Sequence, residues 1–280
     1  MATEERAEGE ERDGEGGPIE SGREDVVTAF VADAPPAPPP RAPEPEPPES
    51  ALRDLAGWGA IVGIVLFLAG GAYVAFDLER AGERSFWVYA IGPTALVAVF
   101  ALVRAARDGE LAELVQPGWG DATRGILSAA LFFAGAMGLL RVLAPVGSPR
   151  ESWTARLYLQ LGDPTWLRAH AAVMAIVILS AAAAEEIVWR GLVTRLIAEK
   201  VGSRWAFVWA AVPYALAQLP TAWALRDPEA GLNPLLVVAA FALGLGWGGL
   251  ARSQRRLMPS ILSHAAFVWC VVFLFRLWGA

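Results

Sequence analysis

The sequence predicts an all-α fold: a polytopic membrane helical bundle of about seven spans, preceded by a disordered N-terminal tail. Three observations predict it. Hydrophobic residues make up 55% of the 280-residue chain, and mean hydropathy is positive. Those residues cluster into runs of roughly 20, the length that crosses a hydrocarbon core. Charge is segregated as well. Met1–Ser50 holds fourteen acidic and four basic residues, so the net charge of −6 divides into −10 for this segment and +4 for the remainder.

Met1–Ser50 contains half of the prolines, and Pro35–Pro48 should run as extended polyproline II. Such a composition cannot bury enough apolar surface to offset its ordering entropy. One apolar island, Asp25–Asp33 (DVVTAFVAD), reads either as a short docking motif or as an incidental patch. No basic start followed by an apolar core is present, so no cleavable signal peptide is expected.

The spans are placed at approximately Leu55–Phe76, Phe86–Val103, Gly125–Leu143, Ala169–Ile197, Arg204–Leu219, Leu232–Ala251 and Met258–Trp278. The fifth is short and is interrupted by Pro213. Several of the twelve Trp residues lie near span ends (Trp58, Trp87, Trp166, Trp278), as an aromatic belt requires. With the N-terminus inside, the short inner loops hold more Lys and Arg than the outer ones, which favours a cytoplasmic tail. The expected location is a bacterial inner membrane.

The organisation read from this pattern is a tail over 1–50, N-terminal membrane helices over 51–168, and a second membrane unit over 169–280 that carries the intramembrane polar residues. No repeat relates the two halves, which counts against many secondary transporters. No basic cluster with interleaved aromatics supports nucleic-acid binding. The single Cys270 cannot make an internal disulfide.

Glu185 and Glu186 sit side by side within the apolar stretch SAAAAEEIVWRGL, Ser180–Leu192. A charge at the centre of a membrane helix costs roughly 2.5–3.5 kcal/mol on insertion scales, and such residues mark function by default. Glu186 and Arg190 are four apart, share a helix face and can pair. Glu185 lies about 100° round the helix and is left less compensated. A carboxylate so placed can act as general base toward water. The alternative is that both glutamates hold neighbouring helices through hydrogen bonds and ion pairs.

Gln218, in VPYALAQLP, and His264, in PSILSHAAFVW, are the other polar candidates within spans. A lone histidine on an apolar helix is either a hydrogen-bonded structural residue or a catalyst. His170, beside Arg168 at the start of the fourth span, reads as interfacial.

Together these motifs resemble a known family. AEEIVWRG is similar to the EExxxR signature of the CPBP intramembrane proteases, the group of CAAX prenyl protease 2 and the bacteriocin-processing (Abi) proteins. YALAQLP resembles the family's later F-x-x-x-H element, with Tyr214 as the aromatic and Gln218 in the histidine position. HAAFV resembles its H-x-x-x-N element, with His264 first and Val268 in the asparagine position. The resemblance covers about Ala169–Ala280. It implies that Glu185 activates the hydrolytic water, that Glu186 and Arg190 support it or bind substrate, and that His264 stabilises the oxyanion. The family's first histidine would assist the base, and its asparagine would donate a hydrogen bond.

Two functions follow from the resemblance. One is a glutamate-dependent endopeptidase acting on a membrane-associated protein or peptide within the bilayer. The other is a non-catalytic membrane protein on the same fold, acting in partner binding or immunity. No cofactor and no metal are expected: Glu185, Gln218 and His264 would make a poor zinc set, and no HExxH occurs. LGLGWGGL, Leu243–Leu250, spaces Gly244 and Gly248 four apart and reads as a close-packing helix face. Arg252, Arg255 and Arg256 follow it as interfacial anchors.

Overall fold

Lipid offers no hydrogen bonds to a bare backbone, so apolar runs of this length satisfy their own amides as helices. The computed structural model describes residues 48–274. The tail before Pro48, with its apolar island, and the end of the seventh span, with Trp278, lie outside them.

α1 (Pro48–Ala75) begins three residues inside the segment expected to be a tail. A 3-10 turn, Leu78–Arg80, links it to α2 (Arg84–Arg107). Then come the short α3 (Leu111–Val115), α4 (Asp121–Leu143), α5 (Glu151–Leu161) and α6 (Pro164–Ala169). α7 (Ala171–Glu186) continues through a wide π turn, Ile187–Val193, into α8 (Thr194–Val201). α9 (Ala206–Ala217), α10 (Leu219–Ala224), α11 (Leu235–Gln254) and α12 (Met258–Trp269) complete the bundle, with a second π turn at Cys270–Leu274. No β-strand occurs among the described residues.

Five stretches are long and apolar enough to cross a membrane: Leu55–Ala75, Arg84–Arg107, Asp121–Leu143, Ala171–Val201 and Leu235–Gln254. The apolar helix Met258–Leu274 is shorter. Leu66, Leu96, Leu131 and Ile176 point their side chains outward, as a lipid-facing surface requires. The chain is an integral membrane helical bundle.

The predicted fifth span is the short helix α9, and α10 follows it at once. α9 runs through Pro213 unbroken and stops at Gln218. Pro220 sets that boundary. It lacks an N–H, which would break a bond inside a helix but not in the first turn, and it is accommodated in the first turn of α10.

α11 packs on α9, α12 on α4 and α7, and α1 and α2 pack on each other and on α9 and α7 respectively. The glycine face works as read. A Cβ on Gly244 would lie 3.1 Å from the Ala211 Cβ and 3.2 Å from Tyr214 Cδ1, and one on Gly248 would lie 3.2 Å from the Phe207 Cβ. The interfacial arginines are more committed than expected. Arg256 Nη2 lies 2.9 Å from Oδ1 of the buried Asp121, and Arg252 donates to the Arg204 carbonyl. Arg255, at φ 55°, ends α11 in the left-handed region.

At the other end of α11, the loop after α10 is tied to α5. Arg156 Nε donates to Asp227 Oδ2 at 3.1 Å, and Asn233 Nδ2 donates to the Trp153 carbonyl at 3.0 Å. The amides of Ala230 and Glu229, with Arg156, hold the Asp227 carboxyl down at about 2.

Candidate active site

The site is assembled where α7 enters its π turn. Such widened turns are rare and recur at functional positions. Here the Thr194 amide reaches back five residues to the Trp189 carbonyl, and the Thr194 hydroxyl donates to the same oxygen at 2.7 Å. Arg190 lies within this turn.

Glu186 is fully buried and is the hub of a charged cluster. Its Oε1 lies 3.1 Å from Arg190 Nη1, in the i, i+4 pairing that helix geometry allows, and 2.9 Å from His264 Nδ1 on α12. Its Oε2 has no hydrogen-bond partner among the described residues. The Arg190 guanidinium carbon lies 4.9 Å from the Tyr214 ring centroid and 5.6 Å from that of Trp247. Arg190 Nη2 also donates, at 3.4 Å, to the Gly244 carbonyl. The small residue on α11 lets that backbone come within reach. A buried cation is thus held by one carboxylate and two aromatic faces.

His264 is buried and stacks on Trp247, with centroids 3.8 Å apart and planes 18° from parallel. Trp247 Nε1 donates to Ser263 Oγ at 3.2 Å, which fixes the indole. With Nδ1 committed to Glu186, Nε2 is the His264 nitrogen left for other chemistry.

Glu185 is half-buried and takes a different partner. The Tyr214 hydroxyl on α9 donates to its Oε2 at 2.7 Å. Glu185, Tyr214, Gln218, Trp247, His264 and Val268 all line one cavity of ≈ 300 Å³. Its remaining wall is mostly apolar and includes Leu68 of α1, Trp87 and Pro93 of α2 and Leu157 of α5, with hydroxyls from Tyr89, Thr94 and Tyr158. Of the sequence-predicted site residues, Glu185, Gln218 and His264 therefore meet at the cavity surface. Glu186 and Arg190 lie behind it. His170 lies away from the site, exposed at the start of α7, with Nδ1 2.9 Å from the Trp166 carbonyl and its ring stacked on Trp166.

Two contributors escape a reading of the sequence. The Tyr214 hydroxyl is legible only as a tyrosine where the motif has phenylalanine. Trp247 lies inside a run that reads wholly as packing. Among the described residues, no three His, Cys, Asp or Glu side chains are grouped to hold a metal ion.

Residues 167–270, from α6 through α12, match the model of a protein family described as type II CAAX prenyl endopeptidase Rce1-like. This is the group that the three motifs resemble, and the match supports a CAAX-type intramembrane protease fold for that segment. No curated protein and no solved structure matches the chain.

Proposed function

We propose that the protein is a glutamate-dependent endopeptidase that hydrolyses a membrane-associated protein or peptide within the bilayer. The observation that carries the reading is the meeting of a half-buried carboxylate, Glu185, and a buried histidine, His264, on one mostly apolar cavity.

The chemistry divides between them. Oε2 of Glu185 is held by Tyr214, which leaves Oε1 to accept a proton from water. The hydroxide oxygen attacks the peptide carbonyl carbon, and the C=O electron pair moves onto oxygen. A His264 protonated on both nitrogens would donate Nδ1–H to Glu186 and Nε2–H to that oxyanion. Collapse re-forms the carbonyl and breaks the C–N bond, and the leaving amine takes the proton from Glu185. Glu186 and Arg190 touch no reacting atom in this scheme; they orient His264. The apolar wall excludes bulk water, which strengthens each of these interactions.

A second reading is supported by Gln218 and Val268. Both face the cavity from motif positions where the resemblance expects histidine and asparagine. Gln218 hydrogen-bonds but does not take up a proton at neutral pH, and Val268 does neither. On this reading the fold is retained for binding a partner without cleaving it. The deciding experiment is cleavage of candidate membrane substrates by the purified chain and by Glu185→Gln. Loss of cleavage in the variant supports the protease. Equal rates would rule out Glu185 as the base, and no cleavage by either favours the binding protein.

A further inference from the structure

A second cavity, of ≈ 250 Å³, is lined in part by Arg190 and shares no lining residue with the site just described. Its lining includes Arg190, Arg195, Arg252, Arg255 and Arg256, and, among the described residues, no aspartate or glutamate. Thr194 and Ser203 add hydroxyls to the wall, and Phe207, Gly248 and Leu257 are among its apolar members. We propose that this cavity is a binding site for a phosphate group, presented at the membrane surface by an anionic lipid headgroup or taken up as free phosphate.

The charge balance points to an anion. Three of the five guanidinium groups have a carboxylate nearby: Arg190 with Glu186, Arg195 with Glu110 and Arg256 with Asp121. Arg252 donates to a backbone carbonyl, and Arg255 has no ion-pair partner among the described residues. Two cations are therefore left without a counter-charge among the described residues, around a concave space. Arg256 adds a buried Nε–H with no acceptor among the described residues. Buried donors of this kind are rare unless something accepts from them. A phosphate oxygen meets the need, because guanidinium and phosphate form short, charge-assisted, often bidentate contacts.

The depth fits a headgroup. The cavity lies at the end of α11 and at the connection between α8 and α9, just past the apolar part of both helix rods. Trp205 and Trp209, beside Ala206 and Phe207 of the lining, are exposed. Tryptophan favours the membrane–water interface, where phosphate groups sit. Basic pockets between membrane helices are established binding places for anionic lipid.

The experiment uses the full chain, purified in a zwitterionic detergent. Thermal midpoints are followed while short-chain phosphatidylglycerol, short-chain phosphatidylcholine or inorganic phosphate is added. Phosphatidylglycerol should raise the midpoint, and raised sodium chloride should weaken the effect. Arg255→Ser, at an exposed position, should weaken the apparent affinity by about tenfold, the effect of losing one charged hydrogen bond. A shift with phosphatidylglycerol but not with inorganic phosphate assigns a lipid headgroup. Equal shifts from both assign free phosphate. The proposal is overturned if neither anion shifts the midpoint, if phosphatidylcholine acts as strongly as phosphatidylglycerol, or if Arg255→Ser and Arg252→Gln both respond like the native chain. Proteolytic activity enters none of these readouts, so the outcome stands apart from the protease reading.

Discussion

The hydroxyl of Tyr214 donates to Oε2 of Glu185 at 2.7 Å, across the contact between α9 and α7. This fixes the carboxylate against the cavity wall and leaves one oxygen to act. Tyr214→Phe keeps the ring over Arg190 and removes only the donor. The expected result is a loss of about 1 kcal/mol in stability and a fall in cleavage of up to about a hundredfold, as for a misplaced catalytic group. Chemical denaturation in detergent and initial-rate measurements check the two effects separately.

Arg190→Ala should destabilise the protein by roughly 3–5 kcal/mol, because it strands a buried carboxylate. Glu186→Gln combined with Arg190→Met should recover part of the loss. Recovery stops short of complete, since His264 also bonds to Glu186 and the three residues couple. Thermal midpoints of the two variants give the answer: a double variant no better than Arg190→Ala would show that the contact contributes nothing.

Glu185→Gln should abolish cleavage with the fold intact. Gln218→His with Val268→Asn should raise cleavage, because both positions face the cavity and the pair adds a proton acceptor and an oxyanion donor. If the native chain is silent and this variant cleaves, the chain is a lapsed protease and the binding reading stands.

Gly244→Val places methyl groups where even a Cβ meets Ala211 and Tyr214 at 3.1–3.2 Å. Overpacking of this kind costs about 1–3 kcal/mol. It also pushes the Gly244 carbonyl from Arg190. A lowered thermal midpoint is expected, together with weaker cleavage if the protein is active.

Asp227 has a carboxyl held below its ordinary value, at about 2. Its contribution is complete above the unfolded value, near 3.9, and fades as pH falls through about 2. Asp227→Asn should therefore be less stable than the native chain at pH 5, and the gap should close between about pH 4 and 2. A gap that widens on acidification would contradict the assignment.

What the sequence disclosed follows the reach of helical spacing. Within one helix, four residues bring Glu186 to Arg190, and four bring Gly244 and Gly248 to one face; both relations are present. Across helices, spacing says nothing. The Tyr214–Glu185, His264–Glu186 and Arg256–Asp121 contacts depend on where helices cross, and none can be read from period or propensity. The break falls at Gln218 and not at Pro213, because a proline inside a membrane helix is tolerated where neighbours satisfy the freed carbonyl. The π turn at Ile187–Val193 carries no mark in helical period or propensity.

The Glu186–Arg190 pair also bears on how the chain is made. Synthesis runs from the N-terminus, so the helix bearing Glu186 is offered to the bilayer before α12 exists. His264, 78 residues later, is still untranslated or within the ribosome at that moment. An unpaired Glu186 would then add to the resistance that Glu185 already offers to entry into lipid. Arg190, one turn away on the same helix, is present from the start and pairs with Glu186 before α9, α11 or α12 has arrived. The helix carries its own passport across the translocon, and His264 joins an ion pair already in place.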